Sequence, residues 1–191
     1  MRIEVSEHPA AALEEYAAVP ISFEVNRVLD VSERAGAPGQ FLLSERRLDI
    51  PYIKDYDSIE GGRPAEWAKQ FDVSNWGIFA AYDGDRRVGG AAVAFDTPAL
   101  SMLEGRRDLA VLWDIRVSTE ARGRGVGSLL FRAVEEWARE RGCRQLKVET
   151  QNINVAACRF YERQGCALLA ANRHAYPALP DEIQLLWSKA L

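Results

Sequence analysis

The sequence predicts an α/β domain on a mixed sheet. Three observations predict it. The second part of the chain runs as strand, helix, strand, helix, strands. Its longest helical segment carries apolar residues on one face only, so it packs on something flat. Finally, 191 residues suit one domain with a single sizeable core.

In chain order, the first 76 residues give the weaker signals. Pro9 to Ala18 is rich in helix formers and predicts a short helix. Ile21 to Val31 opens with the strand-like Ile21-Ser22-Phe23-Glu24-Val25. Ala35-Gly36-Ala37-Pro38-Gly39 and Glu60-Gly61-Gly62-Arg63-Pro64 read as loops. From Gly77 the signals sharpen. Gly77 to Tyr82 and Val88 to Phe95 flank Asp83-Gly84-Asp85-Arg86-Arg87, which predicts an antiparallel hairpin. Leu109 to Val117 is a β-rich run, apolar enough for a central strand apart from Asp114 and Arg116. Val126 to Arg141 is a helix with Val126, Leu129, Leu130, Val134 and Trp137 on one face, and Gly142 stops it. Gln145 to Thr150 is the next strand. Asn154 caps a second helix that runs to Gln164 before Gly165, and Ile183 to Trp187 is a last strand.

Composition excludes several classes of function. The chain is 48% hydrophobic and 27% charged, and no apolar run approaches the roughly 20 residues needed to cross a bilayer. The N-terminus, Met1-Arg2-Ile3-Glu4-Val5, lacks the continuous apolar stretch of a secretory signal. Cys143, Cys158 and Cys166 are odd in number and show no Cys-x-x-Cys spacing, and His8 and His174 lie far apart. We therefore expect no disulfide framework, no metal site and a cytoplasmic protein with no membrane partner. A net charge of −4 disfavours nucleic acid. The charge is uneven, however. Between Ala121 and Lys147 seven basic residues face three acidic ones, a net of +4 that leaves −8 for the rest. A basic island in an acidic chain suits an anionic ligand there and a cationic one elsewhere, or it is simply a solvated helix face.

The island holds the most informative stretch, Arg122-Gly123-Arg124-Gly125-Val126-Gly127, between a strand and an amphipathic helix. Three glycines in five residues let backbone approach a ligand closely. The helix start presents unpaired N–H groups and a positive dipole end, a natural seat for phosphate. A plain strand-to-helix connection is the competing reading. No Gly-Lys-Ser/Thr follows, so it is not a P-loop. A dinucleotide turn survives on local pattern, with Glu149 near the acidic position about 20 residues on, although the upstream hairpin weakens it.

Arg122-x-x-Gly125-x-Gly127 resembles the pyrophosphate-binding signature of the GNAT superfamily of N-acetyltransferases. Asp114-Ile115-Arg116-Val117 resembles the strand before that loop. Asn154-x-x-Ala157-x-x-Phe160-Tyr161-x-x-x-Gly165 resembles the family's second signature, on the helix beyond the next strand. More narrowly, Glu149 to Cys158, Glu182 to Trp187 and Pro51-Tyr52-x-Lys54-x-Tyr56-Asp57 are similar to streptothricin acetyltransferases. Cys166 departs from the family, which commonly places an aromatic residue there. The resemblance implies a single GNAT-like domain over residues 1–191, its sheet mostly antiparallel, splayed at the centre, with helices on both faces. Residues 1–76 would form the acceptor side and 77–191 the acetyl-CoA-binding core. It implies acetyl-CoA as co-substrate, held by Arg122, Gly123, Arg124, Gly125, Val126, Gly127, the strand backbone near Ile115 and Val117, and Asn154. The partner would be a small-molecule amine, and the protein a monomer or homodimer. Acetylation of a protein amine or polyamine, and a non-catalytic acetyl-CoA-binding domain, are the competing readings.

Acetyl transfer to an amine sets three chemical demands. An alkyl amine of pKa near ~10.4 is neutral in about one molecule in a thousand at pH 7, so a base must help. The carbonyl oxygen needs a donor as it gains charge, and the departing thiolate needs a proton. The resemblance makes Tyr161 the general acid. Packing of Phe160 and Tyr161 as an aromatic core pair is the alternative, and Phe160 fits it better. Asp114 is the first candidate base, directly or through water, because a carboxylate on an apolar strand is costly to bury unless paired or facing a cleft. Its alternative is an ion pair with an arginine. Glu149 is the second candidate, or else a hydrogen-bonding partner for the turn at Asn152 to Asn154. For a cationic acceptor, Tyr52, Tyr56, Asp57, Tyr176, Asp181 and Glu182 offer the carboxylates and aromatic faces required.

Overall fold

In the computed structural model, which describes residues 2–37 and 39–191, nine strands and four α-helices follow one another along the described chain. They are β1 (Ile3–His8), α1 (Leu13–Tyr16), β2 (Phe23–Glu33), β3 (Phe41–Lys54), α2 (Pro64–Gln70), β4 (Gly77–Asp83) and β5 (Arg86–Ala94). After these come β6 (Leu109–Val117), α3 (Val126–Glu140), β7 (Gln145–Gln151), α4 (Val155–Arg163), β8 (Ala167–Asn172) and β9 (Gln184–Ala190). They sort into two packing units interleaved in sequence. One takes the residues up to Ser22, Asp55–Leu146 and Ala190–Leu191, and the other takes Phe23–Lys54 and Lys147–Lys189.

In the first unit β1, β4, β5 and β6 lie side by side in that order, each pair antiparallel. The β4–β5 hairpin and β6 fall where hydrophobic patterning puts them. Between β5 and β6 the register slips: Ala92 faces Asp114 but Val93 faces Leu112, so Trp113 is an extra residue that bulges β6 just before Asp114. One face of this sheet carries Ile78, Ala92, Leu109 and Val111 into a core with Tyr16, Trp67 and Trp76. Ring centroids of Trp76 and Trp113 are 5.6 Å apart, and those of Tyr16 and Trp67 are 5.8 Å apart. Such aromatic pairs add about 0.5–1.5 kcal/mol each beyond their buried area. Helix α3 packs on β4, β5 and β6. It buries Val126, Leu130, Val134 and Trp137 as its periodicity predicts, with Phe131 and Ala138 added and Leu129 half-buried. Its end is a Schellman turn, with Gly142 N–H donating to Arg139 C=O at 2.9 Å and Cys143 N–H to Ala138 C=O at 3.0 Å.

In the second unit β2 and β3 form a long antiparallel hairpin, while β7, β9 and β8 lie side by side in that order. Val25 and Val28 pack with Ile153. Beside them Asn152, buried to 4% exposure, acts as a rivet. Its side-chain amide donates to Leu29 C=O at 3.1 Å and accepts from Ile183 N–H at 2.8 Å. Its backbone accepts from Leu29 N–H at 2.9 Å and donates to Ile183 C=O at 3.0 Å. Helix α4 begins as predicted, with Asn154 Oδ1 accepting from Ala157 N–H at 3.1 Å.

Several elements differ from expectation. The helix expected over Pro9 to Ala18 shrinks to a 3-10 turn at Ala10–Ala12 and the four-residue α1. β1, β3 and β8 are additional strands, and the last strand starts one residue later and runs on to Ala190. Pro64, read as the end of a loop, is instead the first residue of α2. Proline suits that place because a first-turn N–H has no intrahelical acceptor. Pro38, in the other expected loop, and Met1 lie outside the described residues. Among the described residues, no helix is long and apolar enough to cross a membrane.

Candidate active site

At the glycine turn, Gly125 sits at φ +83° as the N-cap of α3 and Gly123 at φ +75°. The first helical bond is Leu129 N–H to Gly125 C=O at 3.1 Å, so the amides of Val126 and Gly127 have no acceptor one turn back. A Cβ built on Gly125 would meet no protein atom within 4 Å. The left-handed backbone, not packing, is therefore what demands glycine there. Arg122, expected at the ligand, is exposed and uses two of its five N–H groups on protein, with Nε donating to Val117 C=O at 3.0 Å and Nη2 to Ser22 C=O at 3.2 Å. These bonds tie the loop to the end of β6, and Arg124, the other basic residue of the turn, is exposed.

Asp114 does not stand open as a base. Residues two apart on a strand share a face, and Arg116 uses that geometry to grip Asp114 with two bonds, Nε to Oδ1 and Nη2 to Oδ2, both 2.9 Å. Tyr16 donates to the same Oδ1 at 2.5 Å. The remaining Arg116 donors go to Asp57, at 2.9 and 3.1 Å, and to Val19 C=O at 3.1 Å. Its side chain is 1% exposed and that of Asp114 8%. Burial disfavours the arginine's charge, yet Asp114, and then Asp57, hold it firmly protonated. Burial, reinforced by Asp114, pushes the Tyr16 phenol well above its ordinary value. The arginine-paired alternative is thus the one found. Asp57, expected at the acceptor, belongs to the same buried cluster.

In the second unit Glu149 is half-buried and held by uncharged donors alone. Tyr176 OH donates to Oε1 at 2.6 Å and Gln184 Nε2 to Oε2 at 2.7 Å. Gln151 Nε2 in turn donates to the Tyr176 oxygen at 2.8 Å. Tyr176 and Glu149, chosen for different roles, are therefore one hydrogen-bonded group. Its reach to the turn at Asn152 to Asn154, the alternative for Glu149, is not seen. Glu182 is a further residue expected at the acceptor. It is 7% exposed and pairs with Lys54 Nζ at 2.5 Å, so its charge is already matched. Tyr52 is 42% exposed, and its phenol is pushed up by burial and by Glu182 and Asp181. Asp181 is exposed and Tyr56 half-buried. On α4, Tyr161 is buried at 4% exposure, with its ring centroid 6.5 Å from that of Trp187, while Phe160 is only half-buried. The expected division between them is reversed: Tyr161 is the more deeply packed.

Arg116, Tyr16, Lys54, Gln151 and Gln184 join these groups without a role assigned to them from sequence. The i, i+2 spacing of Asp114 and Arg116 was a usable signal for an ion pair on one strand face. Nothing local could have found Tyr16, which lies 98 residues before Asp114.

The bulged central strand, the glycine turn opening an amphipathic helix and the capped second helix carry the segments that resemble the GNAT signatures. Residues 45–166 match the acetyltransferase (GNAT) family, and the chain belongs to that family and is an acetyltransferase. Within it, the chain is similar to streptothricin acetyltransferase A of Bacillus subtilis (strain 168), 28% identical over 153 residues that cover 78% of this chain and 79% of that protein. It is 29% identical to the streptothricin acetyltransferase of Streptomyces lavendulae over 161 residues, 84% of this chain and 79% of the relative. A crystal structure of nourseothricin acetyltransferase superposes with a TM-score of 0.75 at 25% identity, covering 100% of this chain and 99% of that one. A Bacillus anthracis (strain Ames) protein described as a streptothricin acetyltransferase, solved with acetyl coenzyme A, shares the fold at a TM-score of 0.79 and 23% identity, with both chains covered completely. The α/β fold with a mixed sheet expected from the sequence is the fold of these proteins.

Proposed function

We propose that this protein moves the acetyl group of acetyl coenzyme A to a primary amine of a small cationic molecule of the streptothricin type. The observation that carries the reading is the extent of the similarity. It spans 78% and 84% of the chain against two streptothricin acetyltransferases, so it takes in acceptor-side sequence as well as the glycine turn. The turn suits the donor, since amides at a helix start, open space at Gly125 and the charge of Arg124 favour a pyrophosphate.

The acceptor arrives as an ammonium and has to lose a proton before nitrogen can attack the thioester carbon. Glu149 suits that step better than Asp114, because a carboxylate held by neutral donors keeps its charge unmatched and retains about two of its four lone-pair sites. Attack makes a C–N bond and an oxyanion, for which a backbone N–H of β6 near Ile115 or Val117 is the donor. The C–S bond then breaks, Tyr161 gives its proton to the thiolate and is reprotonated by the second amine proton, and Glu149 returns the first proton to water. Asn154 caps α4 and borders the pantetheine arm.

The test is a thiol-release assay with acetyl coenzyme A against streptothricin, lysine, spermidine and peptide amines. We expect the highest kcat/KM with streptothricin. A higher value with a peptide amine transfers the assignment to protein acetylation, and no thiol release with any amine removes the enzymatic reading.

A further inference from the structure

Five carboxylates are candidates to meet a cationic amine; Asp181 is exposed, Asp57 and Asp114 share Arg116, and the structure separates the buried and half-buried ones by the charge of their partners. Asp114 is gripped by the Arg116 guanidinium, and Glu182 by the Lys54 ammonium at 2.5 Å. Glu149 is bound only by a phenol and a carboxamide. A buried or half-buried carboxylate without a cation attracts one. Its value to a reaction depends on where its remaining lone pairs point, and that direction is set here by Tyr176.

We infer that Tyr176 is a positioning residue for the acceptor amine, acting through Glu149. This deepens the function proposed above and rests on it. Tyr176 lies in the segment between β8 and β9, and its hydroxyl is the middle link of a chain. Gln151 Nε2 donates to it at 2.8 Å, and it donates onward to Glu149 Oε1 at 2.6 Å. Because the Gln151 amide occupies an acceptor site of the phenol oxygen, the hydroxyl proton is directed at Glu149. Gln184 holds the other carboxylate oxygen at 2.7 Å. With both oxygens tethered, the carboxylate plane is fixed before substrate arrives, and orientation fixed in advance is not lost from the free energy of binding. Neither tether brings positive charge, so the fixing does not neutralise the group. An arginine or lysine at position 176 would orient Glu149 equally well and cancel its attraction for an ammonium. A phenol does the first without the second.

The experiment compares Tyr176→Phe, Gln151→Leu and Glu149→Gln with the unaltered enzyme, using streptothricin as acceptor and acetyl coenzyme A as donor. Tyr176→Phe keeps the ring and removes only the hydroxyl. It should raise the acceptor KM about tenfold, leave the KM for acetyl coenzyme A within about twofold, and leave the melting temperature within about 2 °C. Gln151→Leu, one link further away, should raise the acceptor KM about threefold. If Glu149→Gln impairs turnover while Tyr176→Phe leaves the acceptor KM unchanged, Tyr176 only packs and the inference fails. A rise of both KM values together with a lower melting temperature also overturns it, because that is the mark of a general structural role. If Glu149→Gln behaves as the unaltered enzyme, the proton-accepting role of Glu149 falls as well. If the unaltered enzyme acetylates no amine, the function fails first and the inference with it.

Discussion

Asp114 in the first unit and Glu149 in the second are both strand carboxylates, and in sequence each could be the base. Their surroundings differ in one respect that matters. Asp114 meets a guanidinium whose five N–H groups are all spent, so it faces a formal positive charge, shared with Asp57, and is locked in place. Glu149 meets only neutral donors. A carboxylate that is costly to bury can be stabilised by a counter-charge, which makes it architecture, or by dipoles, which leave it able to recognise a cation. The count of hydrogen bonds is similar in the two places, and the formal charge of the donors decides what each can do.

The largest effect that would break this contrast is on stability. Arg116→Met leaves Asp57 and Asp114 without their cation, and losing one partner of a buried pair costs about 3–5 kcal/mol. Urea unfolding should show a loss of that size, whereas Glu149→Gln should stay within about 1 kcal/mol of the unaltered protein. A loss below about 1 kcal/mol for Arg116→Met would mean that the cluster does not hold the first unit together.

The next effect sharpens the contrast by separating backbone strain from ligand contact. Gly125 and Gly84 both have positive φ, +83° and +61°, and at both a Cβ meets nothing within 4 Å. Valine at either site should cost a similar amount, about 1–2 kcal/mol, from left-handed backbone. Only Gly125→Val should weaken coenzyme A binding, by about tenfold or more in calorimetry. Equal affinity in the two variants would remove the glycine turn from the donor site.

The smallest effect is chemical. Burial, aided by Glu162, pushes the Cys158 thiol up to about 12, and the residue is 0% exposed. At pH 8 only about one molecule in ten thousand is then a thiolate, against roughly a quarter for an ordinary cysteine of pKa near 8.5. Cys158 should resist iodoacetamide in the native protein at pH 8 and react once urea unfolds it. Rapid native labelling, read by mass spectrometry, would show that α4 opens readily.

What could be read from sequence follows from how locally each feature is determined. β6, α3 and the Asn154 cap were legible because runs of apolar residues, glycine stops and a capping side chain all act within a few residues. β3 was not. Its centre is Ser44-Glu45-Arg46-Arg47, most of its residues are exposed, and Pro51 argues against a strand on local grounds. A two-stranded hairpin needs no apolar run, because its partner β2 supplies the hydrogen bonds and only one face is covered. α2 was hidden because proline marks loops and first helical turns alike. In the site, the glycine turn was legible as pattern, but the choice between Asp114 and Glu149 was not. That choice depends on Tyr16, Asp57, Tyr176 and Gln184, brought in from distant positions by the fold.

The interleaving of the two units carries a consequence for synthesis. The β2–β3 hairpin leaves the ribosome early, yet Ile153, against which Val25 and Val28 pack, and Asn152, which bonds the backbone N–H and C=O of Leu29, come only after the roughly ninety residues of Asp55–Leu146. At about 5–20 residues per second that is a wait of about 5–20 s. Through it, the hairpin has unsatisfied edges and an uncovered apolar stripe, the kind of surface that invites pairing with a neighbouring nascent chain. Arg46 and Arg47 at the middle of β3, and Pro51 near its end, are then more than an obstacle to reading the strand. Charge and a missing N–H are what keep such an edge from recruiting a partner before its own arrives.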